Sequence, residues 1–151
     1  MNCTVFALLI LFTSLSVAYA LNFDNMNIYG DMYNKKIGNA PEVLRSMVGD
    51  ENVEFTISLN NGSTMQWWME LEKAKIVRSG YGGLEDATIE VTATEAALND
   101  VLHAEDQVAA YQEAERSGQM TIDGRTFKSG IKITAALNMG SLINSFIGSL
   151  A

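Results

Sequence analysis

Few side chains in this sequence are equipped for chemistry. His103 is the sole histidine and Cys3 the sole cysteine. One imidazole cannot build a histidine-based metal cluster, and a Ser-His-Asp relay would have to be centred on His103. A solvated histidine at a helix end accounts for that position. Glu113 and Glu115 lie two apart and so fall on different faces of a helix. Glu105 and Asp106 are adjacent near a helix start, where carboxylates suit the dipole. Gly80-Tyr81-Gly82-Gly83 lacks the spacing and the lysine of a phosphate-binding loop, and reads as a turn. Asn61-Gly62-Ser63 is a formal glycosylation sequon whose turn role is a sufficient explanation. These residues therefore predict no catalytic site, no metal and no cofactor. A hydrolase would require a serine Oγ within reach of His103.

What remains is an excess of large apolar groups: Trp67, Trp68, Phe55, Met65, Met69, Met120, Phe127, Phe146 and Ile147. Each alone is explained by core filling. As a set they also fit a cavity, because methionine adapts its shape to ligands of variable form. Burying ten methylenes of an acyl chain gains roughly 8 kcal/mol before the costs of association. A polar head group could then use Arg125 or Lys128.

The segment Met1–Ala20 is uncharged, with an apolar run over Val5–Val17 that ends in the small-x-small site Ala18-Tyr19-Ala20. It reads as a signal peptide, with an uncleaved membrane anchor as the alternative, so the expected location is secreted or extracytoplasmic. The rest, 21–151, is the length of one domain. It carries the whole formal charge of -8, with a pI near 4.5. That disfavours nucleic acid as a partner, as well as an anionic membrane bound by charge alone. Cys3 lies in the leader, so the domain has no disulfide and its stability must come from packing.

The elements that position the apolar groups follow from periodicity. Met26, Tyr29, Tyr33 and Ile37 have loose helical spacing, and Pro41–Val48 shows one apolar helical face ended by Gly49-Asp50. Val53–Leu59 alternates as a half-buried strand. Asn60-Asn61-Gly62 predicts a type I′ hairpin turn. Thr64–Leu71 returns with Met65, Trp67, Met69 and Leu71 on one face and Trp68 on the other. Lys75–Arg78 reads as a third strand and Ala87–Thr92 as a fourth. Thr94 caps a helix at Glu95–Leu102, and Asp106 caps another at Gln107–Arg116. Met120–Ile122 is a short fifth strand. The tail from Thr126 fits either period and is taken as a helix. Its uncharged end, Met139–Ala151, suits a lid, a homodimer contact or a transient membrane contact. Runs of strands and runs of helices predict an α+β fold, a five-stranded mostly antiparallel sheet covered on one face by helices.

Three ordered features over roughly Val43–Leu137 resemble the sterol carrier protein type two domain. They are the hairpin with Asn61-Gly62 and a tryptophan (Trp67 or Trp68) on its return, the strand Asp86–Thr92 running into an acidic helix, and Gly118-Gln119-Met120-Thr121-Ile122-Asp123-Gly124. Where that family places an aromatic three residues before the first glycine of the last strand, this chain has Glu115, with Tyr111 one turn upstream. Many relatives end in a basic peroxisomal tripeptide, whereas this chain ends Ser149-Leu150-Ala151.

The resemblance implies a sterol-carrier-like, non-enzymatic domain that binds or transfers a hydrophobic ligand, such as a fatty acid, an acyl lipid or a sterol-like molecule. The expected site lies between sheet and helices, on Phe55, Ile57, Trp67, Met69, Leu98, Leu102, Met120, Ile122, Phe127 and Ile131. The alternative is a filled-core scaffold of the same fold that binds protein through its surface, for which an exposed Trp68 would speak.

Overall fold

The computed structural model describes residues 23–126. Residues 1–22 and the tail beyond Thr126, with the signal, anchor, lid and dimer expectations placed on them, lie outside the described residues.

Alternation of side chains dictates the sheet. In β1 (Glu51–Ser58) every odd residue is buried up to Ile57. The same holds in β2 (Thr64–Glu72) from Trp67 to Leu71 and in β4 (Ile89–Thr94) from Ile89 to Ala93. Period-two burial means one covered and one wetter face. With β3 (Lys75–Tyr81) and β5 (Met120–Gly124), the strands form one sheet in the order β3-β2-β1-β4-β5.

Four expected strands are present nearly as read; β3 runs further. It passes through Ser79 and Gly80, where the sequence suggested a turn, because the Trp68 indole on β2 lies over Gly80. A Cβ there would sit 2.9 Å from Cζ2 of Trp68. Gly82, with φ +100°, makes the exit instead.

All neighbouring strands are antiparallel except β1 and β4, which run parallel with Phe55 opposite Val91. The β1–β4 start is tied by side chain as well as backbone: Asn52 N–H donates to Thr88 Oγ1 at 3.0 Å, and the Thr88 hydroxyl donates to the buried Glu51 carboxylate at 2.5 Å.

The hairpin turns correct the sequence reading. The Asn60-Asn61-Gly62 turn is not type I′: only Gly62 has positive φ, at +84°, and its N–H donates to the carbonyl of Leu59. The Asn61 carboxamide folds back onto Ser63, accepting from its N–H and its hydroxyl. The turn with two consecutive left-handed residues, the backbone that type I′ requires, joins β2 to β3 at Lys73 (φ +48°) and Ala74 (φ +67°), where no turn residue announces it.

Helices cover the odd face. After a 3-10 turn at Phe23–Asn25, α1 (Asn27–Ile37) packs on β3 and buries Gly30, Tyr33 and Ile37. Helix α2 (Glu42–Val48) follows Pro41 and stops at Gly49, φ +60°. The Thr94 hydroxyl accepts from Ala97 N–H at 3.1 Å and starts α3 (Glu95–His103). The Asp106 carboxylate accepts from Ala109 N–H at 3.0 Å and starts α4 (Gln107–Arg116). Both are N-caps of the expected kind. Helix α3 packs on β4, and α4 on β5 and α3. The architecture is α+β, with a mixed, mostly antiparallel five-stranded sheet.

Candidate functional site

The inner face of the sheet is a continuous apolar surface. Val53, Phe55 and Ile57 on β1 face Met69, Trp67 and Met65 across β2, and Ile89, Val91 and Ala93 across β4. On β5, Ile122 lies opposite Val91 and Met120 opposite Ala93. The rings of Phe55 and Trp67 stand 5.5 Å apart at 41°, within the range of favourable tilted aromatic pairs. Tyr81 on β3 extends this row beyond Trp67. Its hydroxyl donates to the Phe23 carbonyl and accepts from Met26 N–H, both at 3.0 Å, which ties the entry of α1 to the sheet.

Of the residues expected to form the site, Phe55, Ile57, Trp67, Met69, Leu98, Leu102, Met120 and Ile122 all belong to this one buried cluster. Leu98 and Leu102, with Ala97 and Val101, are the buried residues of α3. Phe127 and Ile131 lie outside the described residues. Arg125, considered for a head group, points elsewhere: it pairs with Glu90, and both lie on the outer face. Lys128 is also outside the described residues.

The buried polar side chains of the sheet's inner face are paired with one exception; on the helices, Arg45 Nε, Asn99 Oδ1 and Gln107 Oε1 are also buried without a hydrogen-bond partner among the described residues. The phenol of Tyr33 donates to the Ala74 carbonyl at 2.6 Å, and that of Tyr111 donates to Glu115 Oε1 at 3.0 Å. Tyr111 is fully buried, so the aromatic moves one turn back along α4 and Glu115 serves as its acceptor. Burial first, then the nearby charge and hydrogen bond of Glu115, push the Tyr111 phenol above the ordinary tyrosine range. The exception is the indole N–H of Trp67. It is buried and has no hydrogen-bond partner among the described residues.

Two buried polar side chains were missed in the sequence. Glu51 is 5 % exposed; it continues the odd face of β1, so the alternation that places Val53 inward also places Glu51 inward. Gln107, at the first turn of α4, is 8 % exposed, and its Nε2 donates to the Leu102 carbonyl at 3.3 Å. No sequence signal distinguishes it from a solvated helix residue.

The outer face is polar. Trp68 sits there half-buried, with the Arg78 guanidinium 5.8 Å from its ring and Gly80 beneath it. Arg78 also pairs with Glu70 at 3.3 Å. A depression of about 450 Å³ at the β1 start and β2 end is lined by Asp50, Glu51, Asn52, Glu70, Leu71, Glu72, Lys73, Val77 and Thr88. Its carboxylates make it a poor seat for an acyl chain or an anionic head group.

His103 is exposed at the end of α3, its Nδ1 2.8 Å from the Asn99 carbonyl. Glu113 pairs with Arg116. No group of three or more His, Cys, Asp or Glu side chains among the described residues could hold a metal ion.

No family model and no curated protein sequence matches the chain. Solved structures do. Sterol carrier protein 2 from Yarrowia lipolytica is 18 % identical with a TM-score of 0.50, over 74 % of this chain and 98 % of that one. The sterol carrier protein domain 2 of Helicoverpa armigera is 18 % identical with a TM-score of 0.54, over 80 % and 89 %. A UbiJ-SCP2 ubiquinone synthesis protein is 11 % identical with a TM-score of 0.52, over 83 % and 95 %. With its strand order, its parallel β1–β4 pair and helices on one face, the chain has the fold of a sterol carrier protein 2 domain.

Proposed function

We propose that this chain binds a hydrophobic small molecule, such as a fatty acid, an acyl lipid or a sterol-like lipid, on the inner face of its sheet, and holds or transfers it without chemical change. The observation that carries this reading is the unbroken apolar surface of β1, β2, β4 and β5 centred on Phe55 and Trp67. The names of the structural neighbours, two of them sterol carrier proteins, support the same ligand class. The acidic surface suits a ligand held by burial and not by charge. With Met1–Ala20 as a signal or tether, the protein would work outside the cytoplasm.

The test is binding of a fluorescent fatty acid to the delipidated chain, read by energy transfer from tryptophan. Saturable micromolar binding, displaced by unlabelled lipid, is the expected result. A folded protein that binds none of several acyl and sterol probes would transfer the function to the surface of a filled scaffold.

A further inference from the structure

The indole of Trp67 lies on the inner face, on β2 between the central strand β1 and the edge strand β3, with 0 % exposure. Its neighbours in the sheet are Phe55 and Tyr81 across the two adjoining strands, and Met65 and Met69 two residues away on its own. Phe55, Met65 and Met69 offer only carbon and thioether sulfur. The Tyr81 hydroxyl is engaged with Phe23 and Met26. Nε1 of Trp67 is left without an acceptor among the described residues.

An unpaired N–H in such a place is unusual. Indole N–H groups that are buried find partners as a rule, and an unmade bond forfeits the full solvation of the group. Phenylalanine would fill an apolar wall without that loss. The buried Tyr33 and Tyr111 hydroxyls have acceptors, and the other buried side-chain atoms without a partner among the described residues, Arg45 Nε, Asn99 Oδ1 and Gln107 Oε1, lie on helices and not on the sheet. The orphaned donor therefore marks a place where an acceptor arrives from outside the described residues.

Building on the lipid-binding reading, we infer that the bound molecule presents an acceptor oxygen, a carboxyl, ester or hydroxyl oxygen, to the Trp67 indole N–H. The ligand is then an oxygen-bearing lipid with its polar atom inside the apolar face, and a plain hydrocarbon is discriminated against. The selectivity comes from the site's side of the bond: a pocket that holds an unpaired donor favours the ligand that pairs it.

The experiment compares dodecanoic acid, its methyl ester and tridecane on the full chain. Affinity is read by displacement of the fluorescent fatty acid, and the indole N–H resonances by proton–nitrogen correlation. Trp68→Phe assigns the Trp67 signal. Acid or ester should move that signal downfield and slow its exchange with water, and tridecane should leave it in place. Trp67→Phe should weaken acid or ester by about tenfold and tridecane by less than about twofold, the ratio expected for one buried hydrogen bond. An unmoved Trp67 signal at saturation with both oxygenated ligands overturns the inference and leaves lipid binding intact; this reading is made on the wild-type chain and uses Trp68→Phe, on the outer face, for the assignment alone. Equal weakening of all three by Trp67→Phe does the same. Failure of all three to bind the folded wild-type chain overturns the lipid-binding proposal and the inference with it. The acid and ester arms separate a charged from a neutral acceptor.

Discussion

The phenol of Tyr33 on α1 donates to the carbonyl of Ala74 at 2.6 Å, across 41 residues of sequence. Ala74 is one of two consecutive left-handed residues in the β2–β3 turn, and it is fully buried. Its own N–H donates to the Gly49 carbonyl at 2.8 Å, and the Lys73 N–H donates to Asp50 at 2.7 Å. Left-handed backbone costs a non-glycine residue roughly 1 kcal/mol, and these three hydrogen bonds hold it in place. One step along α1, the Asn34 carboxamide donates to the Ile76 carbonyl and accepts from the Ile76 N–H, both at 2.8 Å. That pairing occupies a point on the outer edge of β3, where another strand could otherwise add.

Lys73→Asn should stabilise the protein. Residue 73 is exposed, and its φ of +48° suits asparagine better than lysine. The N–H that donates to Asp50 is kept. A gain of about 0.5 kcal/mol in urea unfolding is expected; an unchanged or lowered midpoint would show that the tertiary hydrogen bonds already remove the strain.

Tyr33→Phe tests the same turn through pH. Burial raises the Tyr33 phenol far above its ordinary value of 10.0. The unfolded chain ionises near pH 10 while the folded chain keeps the proton, so the contribution is whole below about pH 10 and is lost as pH rises toward the folded value. The slope is about 1.4 kcal/mol per pH unit for each such tyrosine, and Tyr111 supplies another. Phenylalanine at 33 should cost about 1 kcal/mol at pH 7, from the lost bond to Ala74. It should also make stability fall less steeply between about pH 10 and 11.5. Parallel pH curves for the two proteins would rule out Tyr33 as a source of the alkaline slope.

How far the sequence reveals this molecule depends on the range of each interaction. Alternation is local, so Val53, Phe55 and Ile57 announce β1 and its buried face, and Thr94 and Asp106 announce their helices. The parallel pairing of Phe55 with Val91 is invisible in a string that reads as a meander, because it is set by how β3 crosses back. The β2–β3 turn was hidden because Lys73 and Ala74 are held by Tyr33, Gly49 and Asp50, far away in sequence. Trp67 was recognisable as a wall residue. Its N–H, unpaired among the described residues, was not, because the lack of an acceptor there is a property of the assembled interior.

Gly80→Ala should disturb the outer face without undoing the fold. The new Cβ would lie 2.9 Å from Cζ2 of Trp68, and a half-buried indole on the wetter face should turn aside more readily than the paired strand can move. In a Trp67→Phe background, Trp68 emission should shift to the red, and the Arg78 contact over the ring should be lost. The stability cost should stay near 1 kcal/mol, the scale of an exposed cation–π pair with some packing. An unshifted spectrum would mean that the backbone of β3 gives way instead.

Adjacent residues on β5 separate the two faces. Ile122 is buried opposite Val91, and Thr121 is exposed opposite Thr92. Aspartate at 122 places an unpaired carboxylate on the inner face, with a cost of several kcal/mol in any apolar surrounding. Aspartate at 121 meets solvent. Ile122→Asp should abolish fatty-acid binding and Thr121→Asp should leave it within about twofold, less than the 1.4 kcal/mol of a tenfold change. Circular dichroism must accompany both. Should Ile122→Asp fail to fold, Met120→Ala on the same face is the substitute; truncating a buried methionine costs about 2–5 kcal/mol and leaves no charge behind. A folded inner-face variant that binds as the parent does, beside an outer-face variant that does not, would move the lipid to the opposite side of the sheet, where Trp68 and Arg78 stand.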